Sequence, residues 1–221
     1  MRLRHKIAIF TDKYPLIGPL VWILSVQYFI TQFIVAAAWD SGYSWRYNVI
    51  SDLGNTVCGQ YSGRFVCSPD NFLMNLSFVM LGLTMASGSL LIYQEFKESR
   101  ASFIGFSLMA LAGFGTVLVG LFPENTVKAM HAFGAFLALF VGNVSLVILA
   151  LALRRVRKSF RAYTLLSGVV SILAFILFIS GTYLGVGQGG MERIVSYPQT
   201  LWLILFGIYM THSHFRNRKT P

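Results

Sequence analysis

The sequence predicts an all-α integral membrane protein: a bundle of six transmembrane helices with both termini cytoplasmic and a disulfide-containing first outer loop. Three observations predict it. The 221 residues are 55% hydrophobic and only 12% charged, where a soluble domain is about one quarter charged. The mean hydropathy is +0.63. The apolar residues fall in long continuous runs, each near the ~20 residues a helix needs to cross a bilayer. A membrane β-barrel would instead show short alternating segments with a polar lumen face.

The six runs are Leu16–Trp39, Phe72–Gln94, Phe103–Phe122, Ala129–Leu153, Tyr163–Val186 and Tyr197–Phe215, and none contains Asp, Glu, Lys or Arg. The whole chain, 1–221, reads as a single polytopic membrane domain. The first run is long enough to span and lacks a small-residue cleavage pattern, so it is expected to be a retained anchor. Gly18 and Pro19 suggest a bend or an interfacial start there. Ser196-Tyr197-Pro198 reads as the start of the sixth helix, with Pro in the first turn. The preceding Gly187-Gln188-Gly189-Gly190 reads as a flexible or tightly turning cap, because these glycines follow a helix and not the strand a phosphate loop requires.

The charges orient the bundle. Arg2, Arg4, Lys6, Lys13, Lys97, Arg100, Arg154, Arg155, Arg157, Lys158, Arg161, Arg216, Arg218 and Lys219 all lie in the connections and termini that share one face. Cytoplasmic loops carry this excess, so both termini are expected inside a cell membrane. The net charge of +10 is then a topology signal matched to anionic headgroups. It is not evidence for nucleic acid. The other face holds Arg46, Arg64, Lys128 and Arg193, five of the eight acids and both cysteines.

That second face carries the polar chemistry. The connection 40–71 is far longer than the 2–8 residues usual between neighbouring helices. Cys58 and Cys67 within it would meet an oxidising compartment, which favours a disulfide over free thiols or a metal pair. Asp52 followed by Gly54 reads as a turn that dips toward the membrane, with Asp52 either an Asx-type cap or a catalytic carboxylate. In the fourth helix His131 shares a face with Ala135, Ala138, Gly142 and Ser145, small residues that admit a neighbouring helix. His131 therefore points into the bundle, and an ionisable residue there is a functional candidate by default.

Asp52, Glu124, His131 and Glu192 are the candidate catalytic residues. Asn48, Ser51, Arg193, Asn71 and Asn75 are the candidate ligand-binding ones. The convergence fits three pictures: general acid–base chemistry by carboxylates around a His, a divalent metal on one His and three carboxylates, or a hydrogen-bonded network that fixes the helix ends. No mid-membrane acid is present, which argues against an ion-coupled pump.

Asn48-Val49-Ile50-Ser51-Asp52-Leu53-Gly54, Phe122-Pro123-Glu124-Asn125 with His131, and Glu192-Arg193 resemble the prokaryotic membrane family known as domain of unknown function 998, over nearly the whole chain. Ile50, Ser51, Asp52 and Gly54, with His131, Gly134, Ala135 and Phe140, are more distantly similar to the DRAM, Frag and Sfk-like membrane proteins. That group is linked to lipid remodelling, lipid asymmetry and membrane trafficking, so the resemblance implies membrane lipids as partners. The expected function is lipid handling at the outer leaflet, with Arg193 pairing with a phosphate or with the neighbours of Glu192, and His131 with Asp52 positioning or exchanging a proton. An intramembrane hydrolase or transferase, metal-dependent or not, and a structural or assembly protein are the alternatives.

Overall fold

The computed structural model describes residues 9–40, 42–97 and 99–218, without the side chains of 217 and 218. Arg2, Arg4, Lys6 and Lys219 of the basic rim lie outside the described residues. Among the described residues six helices are long and apolar enough to cross a membrane. They are α1 (Ile17–Ala37), α2 (Asn71–Tyr93), α3 (Arg100–Leu121), α4 (Lys128–Ala152), α5 (Lys158–Ile179) and α6 (Gly187–Arg218). The α1–α2 connection holds a 3-10 turn, Ile50–Gly54, and a two-stranded antiparallel hairpin, β1 (Gly59–Tyr61) with β2 (Arg64–Val66), pairing Gly59 with Val66. We call that end of the bundle the hairpin end and the opposite one the basic end.

Each helix packs on the next in sequence, and α6 returns to α1, so the six form a closed ring. At two crossings glycines face each other in pairs. A Cβ on Gly82 would lie 2.4 Å from Gly113 O, and one on Gly113 would lie 2.6 Å from Gly82 O, so α2 and α3 meet backbone to backbone. Gly115 and Gly134 repeat the arrangement between α3 and α4. Small residues at crossings are the usual device where lipid removes the hydrophobic drive for association. Buried polar pairs add direction: Ser25 with Thr84 at 3.2 Å, Ser77 Oγ donating to Gln27 Oε1 at 2.8 Å, and Trp202 Nε1 donating to Thr164 at 2.8 Å.

The basic half of the ring is filled by aromatics. Trp22, Phe106, Trp202 and Phe206 are buried, with Trp22 and Trp202 ring centroids 5.3 Å apart and Trp202 and Phe206 4.9 Å apart. Such packing carries large apolar area plus an edge-to-face preference. The hairpin half holds the buried Asp52, Glu124, Glu192 and Arg193 and two cavities, while another of about 530 Å³ opens at the basic end among Arg157, Phe160, Tyr163, Tyr209 and His212.

Two helices depart from the expected boundaries. The fifth stops at Ile179 rather than Val186, and the sixth starts at Gly187 rather than Tyr197, with Pro198 inside it. Proline removes the hydrogen bond to the carbonyl four residues back, here that of Ile194. Ser171 Oγ, from α5, donates to Ile194 O at 3.2 Å, and Asn143 Nδ2, from α4, donates to the next carbonyl, Val195 O, at 3.0 Å. Neighbouring helices thus satisfy what the ring frees, as membrane helices require. In α4 a π turn, Leu137–Val141, interrupts the helix, a feature frequent near functional sites.

Candidate functional site

The turn Ile50–Gly54 hangs over the mouth of the ring. Its own side chains build it. Asp52 Oδ2 accepts the Val49 N–H at 3.1 Å and the Asn48 Nδ2 at 3.0 Å. Ile50 and Leu53 turn inward and are buried, which pulls the segment into the bundle. Asn75 Nδ2, from α2, donates to Gly54 O at 2.8 Å, and Ser68 Oγ to Leu53 O at 2.7 Å. Asn71 Nδ2 donates to Ser68 O at 2.8 Å. Asn71 and Asn75 therefore fasten the loop to α2.

Asp52 is fully buried and paired with Arg64 of β2, Nε to Oδ2 and Nη2 to Oδ1, both at 2.6 Å. This fork-to-fork geometry is the strong form of a charged hydrogen bond. Burial draws the Arg64 guanidinium down, but its bonds to Asp52 outweigh that and hold it above its ordinary value. The partners of the Asp52 carboxylate are thus Arg64, Asn48 and the Val49 amide, while the hydrogen bonds of His131 go elsewhere.

The Cys58–Cys67 disulfide closes the hairpin that carries Arg64. Replacing both cysteines with serine is expected to lower stability by about 2–3 kcal/mol, the loop-entropy value for a ring of this size. A lower midpoint of thermal unfolding in detergent, reproduced by reductant on the unaltered chain, is the check.

Arg193 is equally committed. Its Nη1 donates to Trp45 O and Asn48 O, both at 3.0 Å, and to Gly189 O at 2.8 Å. Its Nη2 donates to Tyr43 Oη. The guanidinium carbon lies 5.4 Å from the Tyr43 ring centroid and 4.8 Å from that of Trp45, a cation–π contact with both. The side chain clasps the loop to the first turns of α6. The glycines there make the clasp possible. A Cβ on Gly189 would lie 2.1 Å from Asn48 O, and the Gly189 and Gly190 amides donate to Arg46 O at 3.0 and 3.2 Å. Gly187 has φ +78° and sits against Arg46 O. Of the two readings of this segment, a flexible or a tightly turning cap, the second is nearer: Gly187 turns with positive φ and opens a docked helix start.

Glu192 Oε2 accepts the Ile50 N–H. Glu124, between α3 and α4, is buried, and its Oε1 accepts from Asn55 Nδ2 at 3.2 Å. Burial first, and then the adjacent Asp52 charge, push the Glu124 carboxyl up to about 9. It is a neutral acid at pH 7. Tyr61 Oη donates to Glu124 O at 2.7 Å, and Asn125 exchanges bonds with Thr56, so the 121–128 connection is tied to the hairpin.

The remaining pair is different. His131 Nδ1 lies 2.8 Å from Phe122 O, and His131 Nε2 lies 3.0 Å from Ser51 Oγ. A carbonyl only accepts, so the ring proton of the neutral imidazole sits on Nδ1. Nε2 then accepts the Ser51 hydroxyl proton. Both residues face open space. A cavity of about 230 Å³ at the hairpin end is lined by Ser51, Arg64, Lys128, His131, Gln188 and Glu192, with Phe178 of α5 at its side. A second cavity of about 60 Å³ lies deeper among Phe78, Leu81, Met85, Val119 and Ala138. Ser51, Ala135, Leu139 and Glu192 line both.

The structure thus brings Asn48, Ser51, Asp52, Glu124, His131, Glu192 and Arg193 together at one end. It divides them into a clasp and a cavity-facing set. Sequence reasoning missed Arg64, Tyr43, Asn55 and Gln188. Arg64 carried one usable signal, a lone cation between two cysteines in the loop that holds a buried acid. Among the described residues no three His, Cys, Asp or Glu side chains are grouped as metal ligands.

A family model described as "Protein of unknown function (DUF998)" matches residues 22–209. No curated protein and no solved structure matches the chain.

Proposed function

The chain belongs to the DUF998 family, multi-pass membrane proteins of unknown function, and on that premise we propose that it binds a single amphiphilic lipid at its hairpin end. One observation carries the reading. A cavity with a polar wall and a deeper cavity with an apolar wall share Ser51, Ala135, Leu139 and Glu192. An amphiphile placed there sets its head near Lys128, Gln188 and His131, and the start of an acyl chain among Phe78, Leu81 and Met85. Pockets of this kind, mostly apolar with a few placed polar groups, are the usual form of a small-molecule site.

The hairpin end is the outer one in this reading, and the membrane is the cell membrane. Two features support that orientation: the Cys58–Cys67 bridge, which belongs in an oxidising compartment, and the clustering of Arg154, Arg155, Arg157, Lys158 and Arg161 at the opposite end. Arg193 belongs to the clasp and does not line the cavity, so a lipid meets Ser51, Arg64, Lys128, His131 and Glu192 instead.

Ala135→Phe tests the reading, because it fills the junction of the two cavities from a helix face that already points there. Native mass spectrometry of the full chain released from nanodiscs is expected to show a lipid adduct on the unaltered protein. At least a tenfold smaller adduct fraction is expected on the variant. An adduct unchanged by Ala135→Phe, in a variant of normal thermal stability, contradicts the site.

A further inference from the structure

We infer that Ser51 is a nucleophile, activated by His131, that takes the acyl group of an ester lipid bound in the two cavities. The inference rests on the amphiphile-binding reading and names its chemistry. Four observations carry it.

The first is the geometry of a nucleophile and its base. Ser51 Oγ is 3.0 Å from His131 Nε2, and the imidazole is oriented by a third group, Phe122 O, at 2.8 Å from Nδ1. Serine is a weak nucleophile until an adjacent base removes its proton, and a base oriented from behind is the recurring arrangement. The second is access. Both side chains line the 230 Å³ cavity, and Ser51 also lines the apolar one beneath it. A hydrogen bond that merely joined the loop to α4 would have no need of that position.

The third is rigidity. The turn bearing Ser51 is held at Ile50 by Glu192, at Asp52 by Arg64, and at Gly54 by Asn75. Reacting groups gain most when held in place before the substrate arrives. The fourth is depth. The pair sits where the membrane-spanning helices give way to the loops, the level at which the ester carbonyls of a glycerolipid lie between headgroup and hydrocarbon. Lys128 lines the same cavity and adds a positive charge to its wall.

The reaction balances as a hydrolysis. Ser51 Oγ bonds to the ester carbonyl carbon while its proton passes to His131 Nε2. The bond from that carbon to the alcohol oxygen breaks, and the departing alcohol takes the proton from His131. Water then attacks the acyl-serine ester, giving its proton to His131. The serine oxygen leaves, recovers that proton, and a carboxylic acid is released. Ester and water become acid and alcohol. An acceptor alcohol in place of water makes the same site a transferase.

The test uses the full chain in nanodiscs treated with an alkyl fluorophosphonate, which bonds to an activated serine Oγ with loss of fluoride. Peptide mapping is expected to find the phosphonyl group on Ser51, and Ser51→Ala to abolish it. His131→Ala is expected to slow labelling by about 100-fold, the low end of what a general base contributes. An unlabelled Ser51 in the folded, unaltered protein overturns the inference, as does labelling at an equal rate without His131. Native mass spectrometry of the same samples separates the two claims. A lipid adduct retained on Ser51→Ala, with no labelling of the unaltered chain, removes the nucleophile and leaves the lipid site standing. No lipid on the unaltered chain removes both.

Discussion

Arg64→Met is expected to lower the stability of the folded protein by about 3 kcal/mol. Removing one member of a buried ion pair costs about 3–5 kcal/mol, because the other charge is stranded. Asp52 has no exposed side-chain surface, whereas Arg64 retains 16% of its own, which places the effect at the low end. The Asn48 and Val49 donors to Asp52 remain, but neither carries a charge. The check is a double-mutant cycle on thermal unfolding in detergent. In an Asp52→Asn background the charge is gone, so Arg64→Met should cost little, and the coupling energy should approach the single-variant loss. An Arg64→Met cost that is the same in both backgrounds refutes the pairing as a source of stability.

The second large effect is on pH dependence and comes from Glu124. Its carboxyl is pushed up to about 9 by burial and by Asp52, from an ordinary value of 4.5. The unfolded chain releases this proton near the ordinary value and the folded chain only near the raised one. Between the two the folded state binds more protons, so stability falls as pH rises. The contribution is whole below the ordinary carboxylate value and exhausted above the raised one. Its slope reaches at most about 1.4 kcal/mol per pH unit. Glu124→Gln keeps the acceptor for Asn55 and cannot ionise. Its unfolding midpoint should match the unaltered protein near the acid end of a series from pH 5 to 9. It should exceed it increasingly toward the alkaline end. Parallel curves for the two proteins would show that Glu124 is not a buried neutral acid.

The helices were legible because lipid leaves so little freedom: an uncharged apolar run of spanning length has few other fates. The convergence of Asp52, Glu124, His131 and Glu192 was legible for the same reason, since alternating spans place alternate connections together. The partners within that group were not. Asp52 meets Arg64 instead of His131 because a disulfide-closed hairpin folds back over the turn, and no local pattern states where it will land. Pro198 looked like a helix start because its answer, the Ser171 hydroxyl, lies on another helix. The glycines before it read as either a flexible or a tightly turning cap because their use, the approach of the Arg46 and Asn48 carbonyls, is equally remote in sequence. Ser51 was marked only as a binding residue. Its bond to His131 depends on a carbonyl, Phe122 O, which every residue possesses and no sequence displays.

The carbonyl freed by Pro198 makes the last helix depend on its neighbour. Alone in hydrocarbon, α6 would carry an unpaired carbonyl at Ile194, at a cost of several kcal/mol. The hydroxyl that answers it belongs to the helix synthesised immediately before, with a short link between them. The last span therefore has this backbone carbonyl satisfied only when α5 is packed against it.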